Sequence, residues 1–540
     1  MDFLNEEISQ SIGFKELWDK IEPVSELGYK AKKKFKPYLR NEKKQLKAEL
    51  EKLETVIKII NKKNENFYRL KNLLKEVKDI YGIINQSRIK STVLDDIDIF
   101  EVKKFIIKSK KIKNIIDLMN LNRLFESEIK VFSELLTYLS LGQDKKESFY
   151  LANEYDKDLS IIRNKRQSLE KKLIQEKNKL SSEIEKKCGR PFSIDDEINV
   201  SKNDQDIIDF LTKSKKVSLI SENFAALTFK LIENEKISDL KAQIIKIKKE
   251  EEIVKNKIRK KITNRINNNS LDLMENLKQI AYLDFILARA EFSLEISGVK
   301  PELSQEQIFK MKKGRHILIE NELEKKGMDF TPVDLEIRKG VTLITGANMG
   351  GKTVSLKMLA LLTAMAQHAL FVPAAGFQFN LRNYIYFSLS SDNIKSGLSK
   401  FGTEINNLKA VIKNADNYGL ILIDEIAHGT NPAEGYAIAY GIINKLDNMN
   451  SISIITTHYQ RLAEKLDVIH FQVKGLDKNL LSRYEKRIKQ NGIDLLNKCM
   501  DYRLEKVEKG SDFPQDAIQI AEILGFDAGI LKIAKEKIKE

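Results

Sequence analysis

The chain has 540 residues, 42% of them hydrophobic and 32% charged, with only 8 prolines and a formal net charge of +15 at pH 7. That length exceeds what one ordinary core fills, so two or three domains are expected, and the balance of apolar and charged residues excludes a disordered chain. The positive charge suits an acidic partner such as nucleic acid, although a chain rich in Lys, Asn and Ile rather than Arg is equally what a genomic base-composition bias produces.

At the N-terminus, MDFLNEEISQ is acidic and polar where a secretory signal would be basic and then apolar. No run in the chain approaches the roughly 18 apolar residues that cross a bilayer, so a cytoplasmic protein with no membrane partner is expected. Residues 1–155 alternate helical patterns with short polar breaks. Phe14, Leu17, Trp18, Ile21 and Leu27 make one apolar stripe, and Leu46, Leu50, Leu53, Val56 and Ile57 begin another. The spacing predicts an all-α core domain without a catalytic cluster.

Residues 156–266 read as long charged helices. Ile162, Leu169, Leu173, Leu180 and Ile184 recur at alternating steps of seven and four, and Ile237, Leu240, Ile244, Ile247, Val254 and Ile258 take heptad positions broken by Glu251. With the mixed piece Gly189 to Leu231 between them, they predict antiparallel coiled-coil arms carrying a small tip; two solvated helices of an ordinary bundle are the plainer alternative. Cys188 and Cys499 have no CxxC partner and no histidine cluster, which argues against a disulfide framework or structural zinc and for inert thiols.

Residues 267–313 hold a returning helix, Leu271 to Leu294, and a linker marked by Gly298 and Pro301. From the GRH turn at Gly314 to His316 onwards, residues 314–540 alternate strand and helix, the pattern of an α/β sheet. Strand-like runs are Val341 to Thr345, Tyr384 to Leu389, Leu420 to Ile423, Ile452 to Thr456 and Val468 to Val473.

The first of these runs leads into TGANMGGKTVS, which satisfies G-x-x-x-x-G-K-[ST] with Gly346, Gly351, Lys352 and Thr353 and is followed by a helical apolar run, Val354 to Leu370. Glycines here, with Asn348 and Gly350 between them, let successive backbone N–H groups turn on a polyphosphate at the positive end of a helix. Lys352 is then placed for the β and γ phosphates of ATP and the Thr353 hydroxyl for Mg²⁺. A chance glycine turn before a helix is the competing reading, and the strands that follow argue against it.

Leu420 to Ile423 is an apolar strand ending in Asp424 and Glu425, as a Walker B strand delivers its acids: Asp424 for the metal, Glu425 to orient or deprotonate the attacking water. Ile452 to Thr456 ends in Thr457 and His458, where an imidazole could sense the γ-phosphate. His368, His428 and His470 lack this placement and read as structural. Ser396 to Glu404 reads as a polar glycine-containing loop before an amphipathic helix, an anion-binding device free to serve another subunit's phosphates through Ser399.

Taken together, Gly346 to Thr353, the Phe371 to Ala374 turn, Ser399 to Glu404, DEIAHGTNP at Asp424 to Pro432 and TTHY at Thr456 to Tyr459 resemble the ATPase domain of MutS proteins, from Gly314 to Tyr502–Gly525, which is similar to the family's C-terminal helix-turn-helix dimerisation element. The resemblance implies a multidomain protein: an all-α scaffold with lever and clamp arms, then an ABC-like P-loop ATPase domain. It implies an ATP- and Mg²⁺-dependent dimer, homodimeric or with a related MutS-like subunit, in which Glu425 activates water, His458 is a switch residue and Ser399 reaches the partner's γ-phosphate. Departures are Val354 after Thr353, Lys400 in the trans loop, His428 in place of an arginine and Ile317 where proline follows GRH.

Neither a mismatch-reading domain with a Phe-x-Glu wedge nor a nuclease-like domain is recognisable, so the resemblance is to the short, second branch of the family and direct mismatch recognition is not expected. GANMGGKTVSLK, TNPAEG and HFQVKGL are also similar to a MutS-like ATPase subunit of the reactivase of lysine 5,6-aminomutase, a cobalamin-dependent enzyme. Two loads stay open: branched or recombining DNA gripped by the basic arms, or that aminomutase. A transporter ATPase is disfavoured, because Leu398 to Thr403 departs from LSGGQ.

Overall fold

Heptad-spaced apolar residues become two long helices in the computed structural model, which describes residues 2–62, 65–143, 148–193, 195–346, 351–388, 397–427, 431–477, 480–481, 499–508 and 516–539. Contacts divide the chain into two units, one made of Val77–Asn114 and Glu128–Gln279, the other of Met1–Glu76, Ile115–Ser127 and Ile280–Glu540. Among the described residues no helix is long and apolar enough to cross a membrane.

In the first unit, the helix Lys157–Cys188 starts at Asp156, whose carboxylate accepts from Asp158 N, and stops at Gly189 in the left-handed region. Its partner, Glu235–Asn268, is capped by Asn234. Arg163 meets Glu251 at 3.2 Å while Lys236 meets Glu176 at 2.8 Å, so the helices run antiparallel. Leu169, Leu240, Ile244 and Ile247 form their buried seam, with Ile162 and Leu173 packed against it. The heptad break at Glu251 is a buried ion cluster with Arg163, Arg166 and Lys255. Burial pushes the Glu251 carboxyl up, but the three cations outweigh it and hold it below the usual range.

Strands β1 (Glu197–Ser201), β2 (Val217–Glu222) and β3 (Ala226–Leu231) pair antiparallel in the order β1-β3-β2. With the helix Gln205–Lys213 they enclose Ile198, Val200, Leu211, Val217 and Phe229, against Ile184 and Cys188 at the end of the first long helix.

The second unit begins with short helices that bury Phe14, Leu17, Ile21 and Leu27, followed by the helix Lys43–Ile60, which buries Leu46, Leu50, Leu53 and Val56. Within the helix Ser270–Glu295, Arg289 is fully buried and pairs with Glu49, which also accepts from Tyr282 Oη at 3.0 Å.

Two sheets carry the rest. Strands β4 (Glu302–Leu303), β5 (Ile308–Gly314), β6 (Val333–Arg338) and β8 (Gly376–Phe379) form one, in the order β4-β8-β5-β6. One face of it is solvated: VDLEIR alternates buried apolar with exposed charged residues, whereas IFKMKKG buries Ile308, Phe309 and Met311 and exposes Lys312 and Lys313, a pattern too irregular for period two. The other sheet contains β7 (Gly340–Thr345), β9 (Ile385–Phe387), β10 (Leu420–Ile423), β11 (Ile452–Thr456), β12 (Ile469–Leu476) and β13 (Met500–Lys506). Among the described residues its order is β13-β12-β7-β11-β10-β9, parallel except for the antiparallel β12–β13 edge. Its middle strands β7, β10 and β11 are buried along their whole length, which is why they read as continuous apolar runs.

Two expectations need correction. The bounds Tyr502–Gly525 for a helix-turn-helix do not hold: Tyr502 to Lys506 continue β13, and the terminal helices are Asp516–Ile523 and Ala528–Lys539, separated by a turn with Gly525 at φ 80°. Ser399 does not lie in a loop ahead of a helix, because the helix begins at Gly397 and runs to Asn414; the glycines at 397 and 402 suggested a loop, but the apolar spacing through Ile405, Leu408 and Ile412 carries the helix past them.

Candidate functional site

The chain leaves β7 for the far edge of the sheet, returns through β10 and β11 to β7's flank, and then crosses to β12 on its other side. That reversal of strand order opens a crevice at the C-terminal end of β7, where open α/β sheets bind ligands. At its mouth Gly346 has φ 126°, a conformation that favours glycine, and a Cβ there would crowd Val473 Cβ at 3.1 Å. Gly351, at φ 79°, caps the helix Lys352–Gln367 without a side-chain acceptor of its own. Asn348 and Gly350 lie outside the described residues.

Lys352 is 4% exposed and its Nζ donates to Gly346 O at 2.6 Å. Burial lowers its pKa from the ordinary lysine value, and the nearby Glu425 and Asp424 charges act in the opposite direction. Its neighbour Thr353 donates through Oγ1 to Asp424 Oδ2 at 2.6 Å.

Asp424 leaves the fully buried strand β10 with both carboxylate oxygens engaged. Oδ1 accepts from Thr456 Oγ1 at 2.7 Å, and the Asp424 N–H donates to Ser388 Oγ at 2.6 Å. Thr456 Oγ1 in turn accepts from Glu425 N at 2.8 Å. Glu425 and Ala427 sit at φ 53° and 58°, in the left-handed region that costs non-glycine residues about 1 kcal/mol or more and that clusters at working sites. Ala427 N is held by Glu404 Oε1 at 3.0 Å.

Because β11 is inserted between β7 and β10, His458 at its end arrives beside Glu425, with Nε2 to Oε1 at 3.1 Å. The sequence-predicted residues Gly346, Gly351, Lys352, Thr353, Asp424, Glu425 and His458 thus gather at adjacent strand ends. The side chain of Ser399 lies outside the described residues, as does His428.

Sequence reasoning missed one part of the site, its cavity, and left a neighbouring histidine as structural. A cavity of about 660 Å³ runs from Gly351–Ser355 along Met328, Phe330 and Thr331 to Met500 and Tyr502. Those walls come from loops and an edge strand whose residues carry no local signature. His470, read as structural, bonds through Nε2 to Thr345 Oγ1 at 2.8 Å, just ahead of the glycine loop; burial lowers its pKa, and the only sequence signal was a lone histidine opening a strand.

Among the described residues no group of three or more His, Cys, Asp or Glu could cage a metal. The Thr353 hydroxyl and Asp424 carboxylate instead fit Mg²⁺, which takes one or two protein oxygens and fills its octahedron with water and phosphate oxygens. Cys188 and Cys499 are buried thiols, and no disulfide forms among the described residues.

Residues 342–540 match the family model for MutS domain V. The chain is 26% identical over 392 residues to endonuclease MutS2 of Geobacillus sp. (strain WCH70), covering 71% of this chain and 49% of that protein. With endonuclease MutS2 of Caldanaerobacter subterraneus subsp. tengcongensis it shares 24% identity over 435 residues, 78% of this chain and 53% of the relative. With that of Acetivibrio thermocellus it shares 36% over 222 residues, 40% of this chain and 27% of the relative. The chain spans about half the length of the first two relatives. The chain is thus similar to MutS proteins, through domain V over residues 342–540 and through the MutS2 relatives.

Proposed function

We propose that the chain is an ATPase that binds ATP with Mg²⁺ at the end of β7 and hydrolyses it with Glu425. The observation that carries this reading is Asp424, whose two oxygens bridge Thr353 after the glycine loop and Thr456 on β11, with Glu425 and His458 alongside. Backbone N–H groups of Gly346, Asn348, Gly350 and Gly351 cradle the phosphates, and Lys352 exchanges its bond to Gly346 O for the β and γ phosphates. Thr353 and Asp424 hold Mg²⁺, which when bound neutralises charge on those phosphates. Glu425 takes a proton from the attacking water as its oxygen bonds to the γ-phosphorus and the bond to the bridging oxygen breaks, releasing ADP and phosphate. His458 fixes the Glu425 carboxylate, and the 660 Å³ cavity receives base and ribose.

Purified protein should release phosphate from ATP in the presence of Mg²⁺, and Lys352→Ala should lose nucleotide binding with its circular dichroism unchanged. Unaltered turnover in Lys352→Ala would remove this reading.

The load we propose is DNA, held by the arms of a dimer whose sites are completed in trans by Ser399. Supporting this are the +15 net charge and the similarity to MutS2 endonucleases. Log affinity for duplex or branched DNA should fall with log salt at a slope near roughly −0.9 per phosphate contacted. A pull-down from native extract with and without nuclease decides the load: a nuclease-sensitive catch supports DNA, whereas a nuclease-resistant cobalamin-dependent aminomutase, restored to activity by ATP, would replace DNA with the reactivase reading.

A further inference from the structure

A second concave site lies away from the Asp424 carboxylate. The 3₁₀ turn Arg40–Glu42 and the first turns of the helix Lys43–Ile60 form one wall of a cavity of about 780 Å³, and Gln305, Asn380 and Leu381 form the other. Arg40, Lys43, Lys44 and Lys47 line it, and no carboxylate does among the described residues. Glu42, the nearest acid in sequence, accepts from Leu39 N at 2.8 Å, within its own turn.

This charge placement works against the fold. Helix N-termini favour acids; here the only acid is the N-cap Glu42, whose carboxylate turns back to Leu39 N, and the first turn itself contains none. Uncapped N–H groups and lysines therefore add their positive potentials at one place.

Behind the Asn380 wall the imbalance continues. Arg382 is fully buried; among the described residues its guanidinium donates to the neutral amides Gln307 Oε1 at 3.2 Å and Asn380 Oδ1 at 3.3 Å, and its Nε has no partner. Burial, and then the neighbouring Arg40, push its guanidinium down to about 9. Arg40 lies over the Tyr418 ring at 3.2 Å and leaves a buried guanidinium nitrogen without a hydrogen-bond partner. Glu51 faces Lys47 at 4.0 Å and Glu42 turns back into its own turn, so the cavity wall itself carries an excess of positive charge that a bound polyanion would offset.

The walls are held in place. Tyr38 N donates to Gln367 O at 2.8 Å, and Gln367 Nε2 donates to Tyr38 O at 2.7 Å and to Arg382 O at 2.8 Å. Lys43 Nζ is anchored on Ser304 O at 2.8 Å, leaving Lys44 and Lys47 exposed at the rim. The volume lies within the roughly 300–1,000 Å³ of small-molecule sites, so the shape suits a compact ligand rather than a lone ion.

We propose that this cavity is a second anion site, for a soluble small molecule carrying two or more phosphate groups. Arg40, Lys43, Lys44 and Lys47 contact the phosphates, and the exposed Gln305 amide orients them.

The test is calorimetric titration of the full chain with inorganic tripolyphosphate, without Mg²⁺, comparing wild type with K44E/K47E and separately with Gln305→Glu. Both variants alter exposed side chains, and they lie on opposite walls, so a folding defect common to both is not expected. Wild type should show one binding event that each variant weakens by about tenfold or more, while any event at the Lys352 loop is unchanged. Unchanged number and affinity of events in both variants would overturn the proposal. So would a loss confined to a single-stranded oligonucleotide titrated in parallel, which would make the basic rim a nucleic-acid contact.

Discussion

His458 and Glu425, 33 positions apart in the chain, meet at 3.1 Å between imidazole Nε2 and carboxylate Oε1 at the ends of neighbouring strands. In the proposed mechanism the imidazole holds the carboxylate that takes the proton from water. Glu425→Gln should therefore retain nucleotide affinity within a few fold while phosphate release slows by about 10²-fold or more, and His458→Ala should show a smaller loss of the same kind. Single-turnover phosphate release alongside equilibrium binding separates the two effects; a variant that fails to bind would place Glu425 in the cradle instead.

Asp424 bonds to both Thr353 and Thr456, so its charge can serve a metal while its position is set by two hydroxyls. Asp424→Asn keeps the shape and removes the charge. ATP affinity measured in EDTA should change little, whereas the gain produced by Mg²⁺ should shrink by about tenfold. An equal loss with and without Mg²⁺ would mean that Asp424 acts on the fold, not on the metal.

If Ser399 completes a partner's site, mixtures of Lys352→Ala and Ser399→Ala subunits should contain dimers with one doubly defective site and one intact site. ATP turnover by the mixture should exceed that of either variant alone. Absence of rescue, with mixed dimers confirmed by mass, would assign Ser399 to its own chain.

Arg289 is fully buried against Glu49, with Phe35 and Phe285 flanking the guanidinium at 5.0 and 4.7 Å. Removing one partner strands the other charge in the core. Glu49→Ala should lower unfolding free energy by about 3–5 kcal/mol, and Glu49→Ala/Arg289→Met should recover much of it. Denaturant unfolding of the three proteins measures this directly, and equal stability of single and double variants would contradict it.

Burial lowers the pKa of His368 to about 4, against 6.5 for an ordinary imidazole, even though its Nδ1 contacts Ala364 O at 2.7 Å. Burial likewise brings His316 to about 4, with Lys357 adding to the effect. Between pH 6.5 and about 4 the unfolded chain binds a proton at each position and the folded chain does not. Stability is therefore full above pH 6.5 and falls by about 1.4 kcal/mol per pH unit for each histidine as pH drops through that window. His368→Phe, set among Phe3, Phe14 and Trp18, should flatten the fall in melting temperature with acid; an unchanged slope would show that His368 does not drive it.

By itself the sequence determined the order strand, glycine loop, helix, acid-ended strand and histidine-ended strand, because each rests on local residue type and spacing. β-branched runs such as VTLIT, the paired acids after LILI and the heptads around Leu169 and Ile244 are legible without neighbours. Local spacing also misled, making a loop of Ser396 to Glu404 and passing over β5 and β6 among their charged residues. Only the tertiary structure decided that β11 lies between β7 and β10, which is what sets His458 on Glu425 and Thr456 on Asp424. The same holds for Tyr502 beside Gly351, His470 behind Thr345, and the convergence of Arg40 and Arg382. Strand order and the meeting of distant loops are settled by how whole faces bury against one another, and that packing free energy is shared among residues far apart in the chain, so no short window of sequence carries it.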